Sequence, residues 1–257
     1  EQFMDFSCSN WAEIDSPPIT RWEVADHGLR RREALSAKFV GKVLMVAATN
    51  PRVRANDTDY RYRPDTAFTH LTGWGSATVP GSVLLIDGRQ ENCESTLYLM
   101  PTAGRDSDEF FANPAIGEFW VGPLPTLAQV SLQLGIETKD LKEMEHDLKS
   151  IGAVLEMEDP ELAEAASSLR FVKDDYEISQ MREAVRITVA GFREVARSIP
   201  KATKQARGER VVETTFYSVA RRNGFELGYE TIAASGPNAC ILHWTKNDGE
   251  VKPGDLI

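Results

Sequence analysis

The apolar positions of the first two-thirds of the chain alternate between short runs and helical spacing. Residues 41–48 (GKVLMVAA) form a compact apolar run bounded by Gly41 and by Asn50-Pro51, which predicts a buried strand. Residues 68–74, 82–86 and 96–100 predict three further strands, separated by the turn residues Gly75-Ser76, Pro80-Gly81 and Asp87-Gly88. Residues 127–134 and 141–148 carry apolar side chains at helical spacing, and the charged stretch 22–38 is compatible with a helix. Residues before Pro18 predict an irregular arm. Strands with helices between and after them indicate an α/β layer domain ending near Arg170.

A second region opens on a well-marked helix. Asp174 is placed as N-cap, with Glu177 three residues on as its capping-box partner. Ile178, Met181, Val185, Val189, Phe192 and Ile199 recur at helical spacing, and Pro200 is expected to end the pattern. After the polar connector 201–208, Val212, Phe216, Val219 and Ala220 define a second amphipathic helix, with a left-handed stop expected at Asn223-Gly224. Residues 229–234 and 240–244 read as strands joined by the turn Gly236-Pro237-Asn238. Asn247-Asp248-Gly249 predicts another tight turn, and residues 255–257 follow Pro253-Gly254 as an incipient strand.

Composition narrows the classes of function. The 257 residues are 42% apolar and 26% charged, which is ordinary for a globular chain of one or two domains. A net charge of −10 argues against a nucleic-acid partner, which requires clustered Lys and Arg. Arg30, Arg31 and Arg32 read instead as a solvated helix face. Cys8, Cys93 and Cys240 are far apart and odd in number, so neither a zinc ribbon nor a disulfide framework is indicated, and a reducing, cytoplasmic compartment fits. No apolar run approaches the roughly 18 residues of a membrane span. The chain does not start with Met, so residues are expected before Glu1.

Candidate chemistry is sparse. His27 and His146 lie in charged helical stretches and are expected in solvent. His70 falls in a predicted strand, where packing in the core or across strands is the default. His243 follows three apolar residues and precedes Trp244; it is either a hydrogen-bonded core histidine or a functional one. The acidic run Glu156, Glu158, Asp159 and Glu161 resembles a solvated helix start. HExxH, GxSxG, Walker and GxGxxG motifs are absent from the sequence.

Two stretches carry a family resemblance. Residues 56–73 (NDTDYRYRPDTAFTHLTG) resemble the amino-terminal domain signature of aminopeptidase P, in which a Tyr-x-Tyr-Arg segment runs into an aromatic stretch ending Thr-Gly. Residues 228–244 (GYETIAASGPNACILHW), continuing through Asn247-Asp248-Gly249 to Pro253-Gly254-Asp255-Leu256, are similar to the opening of the pita-bread catalytic domain of aminopeptidase P, prolidase and creatinase. The segment from Leu169 through Asp174 and Glu177 to Arg182 resembles the helix that leads into that domain.

The resemblance implies an α/β chain with an amino-terminal arm over 1–27, an amino-terminal domain over 28–170 and the first part of a pita-bread α+β domain over 171–257. It implies removal of the first residue from peptides with proline second, by a water activated between two Mn²⁺ ions. The five metal ligands of the family, two Asp, one His and two Glu, are expected after Ile257, so no metal ligand is assigned and Asp248 and Asp255 are set aside. His243 matches a histidine beside the metals that donates a hydrogen bond to substrate or tetrahedral intermediate. Tyr229 matches a cleft tyrosine, with half-buried strand packing as its other reading. Trp120 resembles a tryptophan presented to a neighbouring subunit's cleft, although Pro123 and Leu124 stand where the family commonly has arginines. The partners implied are penultimate-proline peptides and a second copy, as homodimer or homotetramer, with neither nucleic acid nor membrane. A prolidase-type dipeptidase and an inactive peptide-binding member of the same fold are the alternatives.

Overall fold

A computed structural model describes residues 2–12, 18–90 and 93–257. The chain divides into two units, Glu1–Lys173 and Asp174–Ile257.

The first unit is built on a four-stranded sheet of β1 (Val43–Ala47), β4 (Val83–Asp87), β5 (Glu94–Leu99) and β6 (Glu137–Asp140), in that order, with β2 (Val53–Ala55) and β3 (Thr58–Asp59) forming a separate hairpin. β1, β4 and β5 are antiparallel neighbours, while β6 joins β5 in parallel. The edge beside β1 is covered by Leu155, whose carbonyl accepts from Met45 N at 2.8 Å and whose amide donates to Val43 O at 2.8 Å.

Side chains of a strand alternate between faces, and β4 is apolar on both. Leu84 and Ile86 join Leu44, Val46, Leu97 and Leu99 in the main core, whereas Val83 and Leu85 join Tyr98 on the opposite face. Helices α2 (Val24–Ser36), α3 (Thr66–Thr72), α6 (Leu127–Leu134) and α8 (Pro160–Phe171) supply Leu35, Phe68, Leu71, Val130, Leu134 and Leu162 to the main core. Helix α7 (Met144–Ile151) covers the other face with Met144, Leu148 and Ile151. Short helices α1 (Gln2–Ser7), α4 (Glu109–Ala112) and α5 (Glu118–Val121) complete the unit.

Several expectations change here. The start is not wholly irregular, because residues 2–7 are helical; residues 13–17 of the expected arm lie outside the described residues. Residue 27, the expected end of the arm, falls inside α2. The predicted strand 68–74 is α3. Asp65 Oδ1 accepts from Ala67 N at 2.7 Å and Phe68 N at 3.1 Å, and Gly73 closes the helix at φ 75°. A side chain at Gly73 would also meet Val24 Cγ1 at 2.7 Å. Aromatic and β-branched residues favoured a strand in the sequence, but the caps and the i, i+3 placement of Phe68 and Leu71 prevail.

The arginine triplet is not a solvated face either: Arg30 is exposed, whereas Arg31 and Arg32 are buried. Arg31 Nη1 donates to His70 O at 2.9 Å and Arg32 Nη1 to Leu71 O at 2.8 Å, satisfying carbonyls at the negative end of α3. Burial lowers the Arg32 guanidinium to about 10, which leaves it charged at neutral pH. His70 is buried as expected, in a helix rather than a strand, and His27 is half-buried rather than in solvent.

The second unit pairs α9 (Asp175–Ala202) with α10 (Gly208–Asn223). The capping box forms as predicted, with Glu177 N donating to Asp174 Oδ1 and Asp174 N to Glu177 Oε2, both at 3.0 Å. Pro200 lies inside the last turn instead of ending the helix, which continues to Ala202. Gly224 is extended at φ −132°, so the expected left-handed stop is not formed.

Ala202, Val212, Ala233 and Val251 make the apolar centre of this unit, and Glu209 of α10 is fully buried, at 0% exposure. Its carboxylate accepts from Ser235 N at 2.8 Å, Asn238 Nδ2 at 2.9 Å, Trp244 Nε1 at 2.7 Å and Gly249 N at 2.7 Å. Burial alone would raise the carboxyl, but the hydrogen bonds from Asn238, Trp244, Ser235 and Gly249 outweigh it and hold the group below the ordinary glutamate range.

Two consequences are testable by thermal or denaturant unfolding. Leu84→Ala removes a fully buried side chain from the central strand and should destabilise the first unit by about 2–5 kcal/mol, as a shift in unfolding midpoint will show. For Glu209, the depressed folded-state pKa means its stabilisation is complete above the unfolded value of about 4.3 and is lost as pH falls through the lower folded value. The stability of the second unit should therefore fall as the pH drops from about 6 to about 3, and Glu209→Gln should be less stable at neutral pH and less acid-dependent.

Candidate functional site

The segment after α10 carries the candidate histidine, and side chains rather than a strand ladder shape it. Residues 229–234 and 240–244 are not strands; residues 236–240 form a 3₁₀ turn instead. Amides that a ladder would bind are taken by side chains: Ala233 N donates to Asn247 Oδ1 at 2.9 Å, and Ser235 N donates to Glu209. Asn247, buried and at φ 48°, also donates through Nδ2 to Glu213 Oε1 and Thr231 O, each at 2.9 Å. Asparagine tolerates this left-handed backbone, and the tight turn expected at Asn247-Asp248-Gly249 is not formed as a hydrogen-bonded turn. Gly249 must lack a side chain, because a Cβ would lie 2.5 Å from Asn238 Nδ2 and 2.7 Å from Glu209 Oε1.

His243 sits on a tight turn within this segment, and its side chain is exposed among the described residues. Its backbone carbonyl accepts from Thr245 N at 3.0 Å, and the next residue, Trp244, is anchored to Glu209. Lys246 Nζ lies 5.6 Å from the centre of the Trp244 ring. Tyr229 is 84% exposed among the described residues. An exposed imidazole and an exposed phenol can both meet a ligand.

Trp120 belongs to the first unit, in α5, and is 53% exposed. Its Nε1 donates to Phe111 O at 2.8 Å, and its ring packs against Phe111 and Phe119 at centroid distances of 5.5 and 5.6 Å. The indole N–H is thus used within the unit, leaving the ring surface as what Trp120 can offer.

Among the described residues no group of three or more His, Cys, Asp or Glu side chains is clustered to hold a metal ion. Asp255 has a structural partner set, accepting from Ser235 Oγ at 3.1 Å and Lys252 N at 3.0 Å. Cys8, Cys93 and Cys240 are free. Among the described residues no helix is long and apolar enough to cross a membrane.

Glu209 and Asn247 organise the segment, yet neither stood out as functional in the sequence. The signal for Glu209 was present: with Val212, Phe216 and Val219 it falls at i, i+3, i+7 and i+10, a charged residue on the apolar stripe of α10.

Comparison with known proteins agrees with this architecture. The aminopeptidase P N-terminal domain pattern matches residues 29–157, and that of metallopeptidase family M24 matches residues 179–257. Xaa-Pro aminopeptidase 1 of Streptomyces coelicolor is 34% identical over 268 aligned positions, covering 97% of this chain and 53% of the relative. Xaa-Pro aminopeptidase 2 of the same organism is 35% identical, covering 97% and 56%. The chain thus spans about half the length of the curated relatives it matches. Among solved structures, Escherichia coli aminopeptidase P with the inhibitor Pro-Leu aligns at TM-score 0.71 and 21% identity, over 95% of this chain and 58% of that one. Proline aminopeptidase P II of Yersinia pestis aligns at TM-score 0.67 and 22% identity, over 90% and 58%. These two show a shared fold. With an aminopeptidase P amino-terminal domain followed by part of an M24 metallopeptidase domain, the chain belongs to the aminopeptidase P family.

Proposed function

We propose that the full-length protein, residues 1–257 with whatever segments flank them, removes the first residue from peptides whose second residue is proline. The observation that carries this reading is the 34–35% identity to Xaa-Pro aminopeptidases along 97% of the chain, through both family segments in order. In this reading His243 donates a hydrogen bond to the scissile carbonyl oxygen as negative charge develops there. Such a donor is most effective when held in place before the reaction. The turn at His243 and the anchored Trp244 beside it support that role. Tyr229 contributes an exposed phenol to the substrate cleft, and Trp120 an exposed ring face to a substrate held by a neighbouring copy.

A pair of divalent cations, Mn²⁺ in this proposal, would supply the activated water. The described residues contain no cluster of His, Cys, Asp or Glu to hold them. The proposal also includes a cytoplasmic location, supported by the free cysteines, and a homodimer or homotetramer.

The full-length protein should hydrolyse an Xaa-Pro-Xaa tripeptide when supplied with Mn²⁺, lose activity to a chelator and regain it on metal addition. Activity that persists after exhaustive chelation, or confinement to Xaa-Pro dipeptides, would contradict this assignment. His243→Ala should lower kcat by about 10²–10³-fold while metal content stays near that of the parent. Metal loss in proportion to activity would make His243 a ligand or structural residue instead.

A further inference from the structure

Glu209 is a fully buried carboxylate whose partners are all neutral donors. Each oxygen takes two: Oε1 accepts from Ser235 N and Asn238 Nδ2, and Oε2 from Trp244 Nε1 and Gly249 N. Backbone closes the same ring, because Glu209 N donates to Gly249 O at 3.1 Å. The donors come from both sides of residue 243, at positions 235, 238, 244 and 249. One carboxylate on a helix therefore fixes both arms of the loop that presents His243.

The chemistry of the group is specific. An ionised carboxylate is acceptor-only, with about four lone-pair sites, and here four donors occupy it. A glutamine of the same shape would turn an NH₂ group toward two N–H donors and leave them buried without acceptors. An apolar residue would leave all of them so. Bulk packing does not demand a charge at this place, since Val212, Val219 and Val251 show that neighbouring positions take apolar side chains. A buried charge without a counter-ion is retained at a desolvation cost, which points to a geometric role.

We propose that Glu209 is a positioning residue for His243, acting through the Trp244 indole and the amides of Ser235 and Gly249. This rests on the peptidase reading of His243. Misplacement of a catalytic group by about 1 Å is enough to cost on the order of 10²-fold in rate. Glu209 thus sets the reactivity of a residue it does not touch.

The test uses the full-length protein and two readouts. In steady-state kinetics on an Xaa-Pro-Xaa tripeptide, Glu209→Gln should lower kcat by about tenfold or more with KM and metal stoichiometry changed by less than about twofold. Trp244→Phe removes a single donor and keeps the ring, so it should give a smaller loss in the same direction. The double variant should be no worse than Glu209→Gln alone, because both changes break one link. In NMR spectra of protein labelled at Trp indole ¹⁵N and His ¹³Cε1, Glu209→Gln should move the Trp244 indole resonance and shift or broaden that of His243; Trp244→Phe should also perturb His243. An unchanged His243 resonance in both variants, or a kcat loss matched by loss of metal or folded protein, overturns the positioning role. Absence of Xaa-Pro hydrolysis by the parent defeats the peptidase reading alone, since the spectra still decide whether Glu209 controls His243.

Discussion

Burial of one carboxylate sets the shape of the second unit. Glu209 of α10 is fully buried, where an unpaired charge is costly. Four donors from one loop offset that cost, so folding of the loop and burial of the charge occur together. Other features follow from this arrangement. Gly249 must be glycine because the carboxylate and Asn238 occupy the space of a side chain. Asn247 adopts its left-handed backbone so that its amide meets Ala233, Thr231 and Glu213. His243, on the turn between anchored points, is exposed without being unsupported.

The first unit solves a related problem with cations. Helix α3 ends against the core, where its last carbonyls have no water, and the buried guanidinium groups of Arg31 and Arg32 supply the donors. The stretch 56–73 that carries the family resemblance has a physical account in the same terms. Asn56, at φ 53°, turns the β2–β3 hairpin, and Tyr62 OH donates to Ala48 O at 2.9 Å, pinning the chain to the end of β1. Burial pushes the Tyr62 phenol up to about 12, so that donor keeps its proton across the physiological range. Asp65 then starts α3 and Gly73 ends it. Asn56, Tyr62, Asp65 and Gly73 of the motif thus serve as hinge, anchor and caps.

The elements read correctly from sequence are those with local causes. β1, β4 and β5 follow from apolar runs between turn residues, α6 and α10 from helical spacing, and α9 from helical spacing and Asp174 as N-cap. The misread elements had local signals that conflicted with their surroundings. Thr66, Phe68, Thr69 and Thr72 favour strands, yet α3 buries one face on the sheet and is capped at both ends. Residues 229–234 and 240–244 have strand composition, but their amides bond to Asn247 and Glu209 or enter a 3₁₀ turn. Strand propensity without an available ladder did not decide their conformation.

By itself the sequence determined the α/β class, the Asp174 capping box and the family, because each depends on residues close in the chain or on a linear motif. It also singled out His243, Tyr229 and Trp120, but not their surroundings. Only the tertiary structure decided that the Trp120 N–H is committed to Phe111 and that Arg31, Arg32 and Glu209 are buried. The physical reason is that a charged side chain reads as surface in a sequence unless its partners are known. For Glu209 those partners stand 26, 29, 35 and 40 residues away, and only folding brings them to the carboxylate.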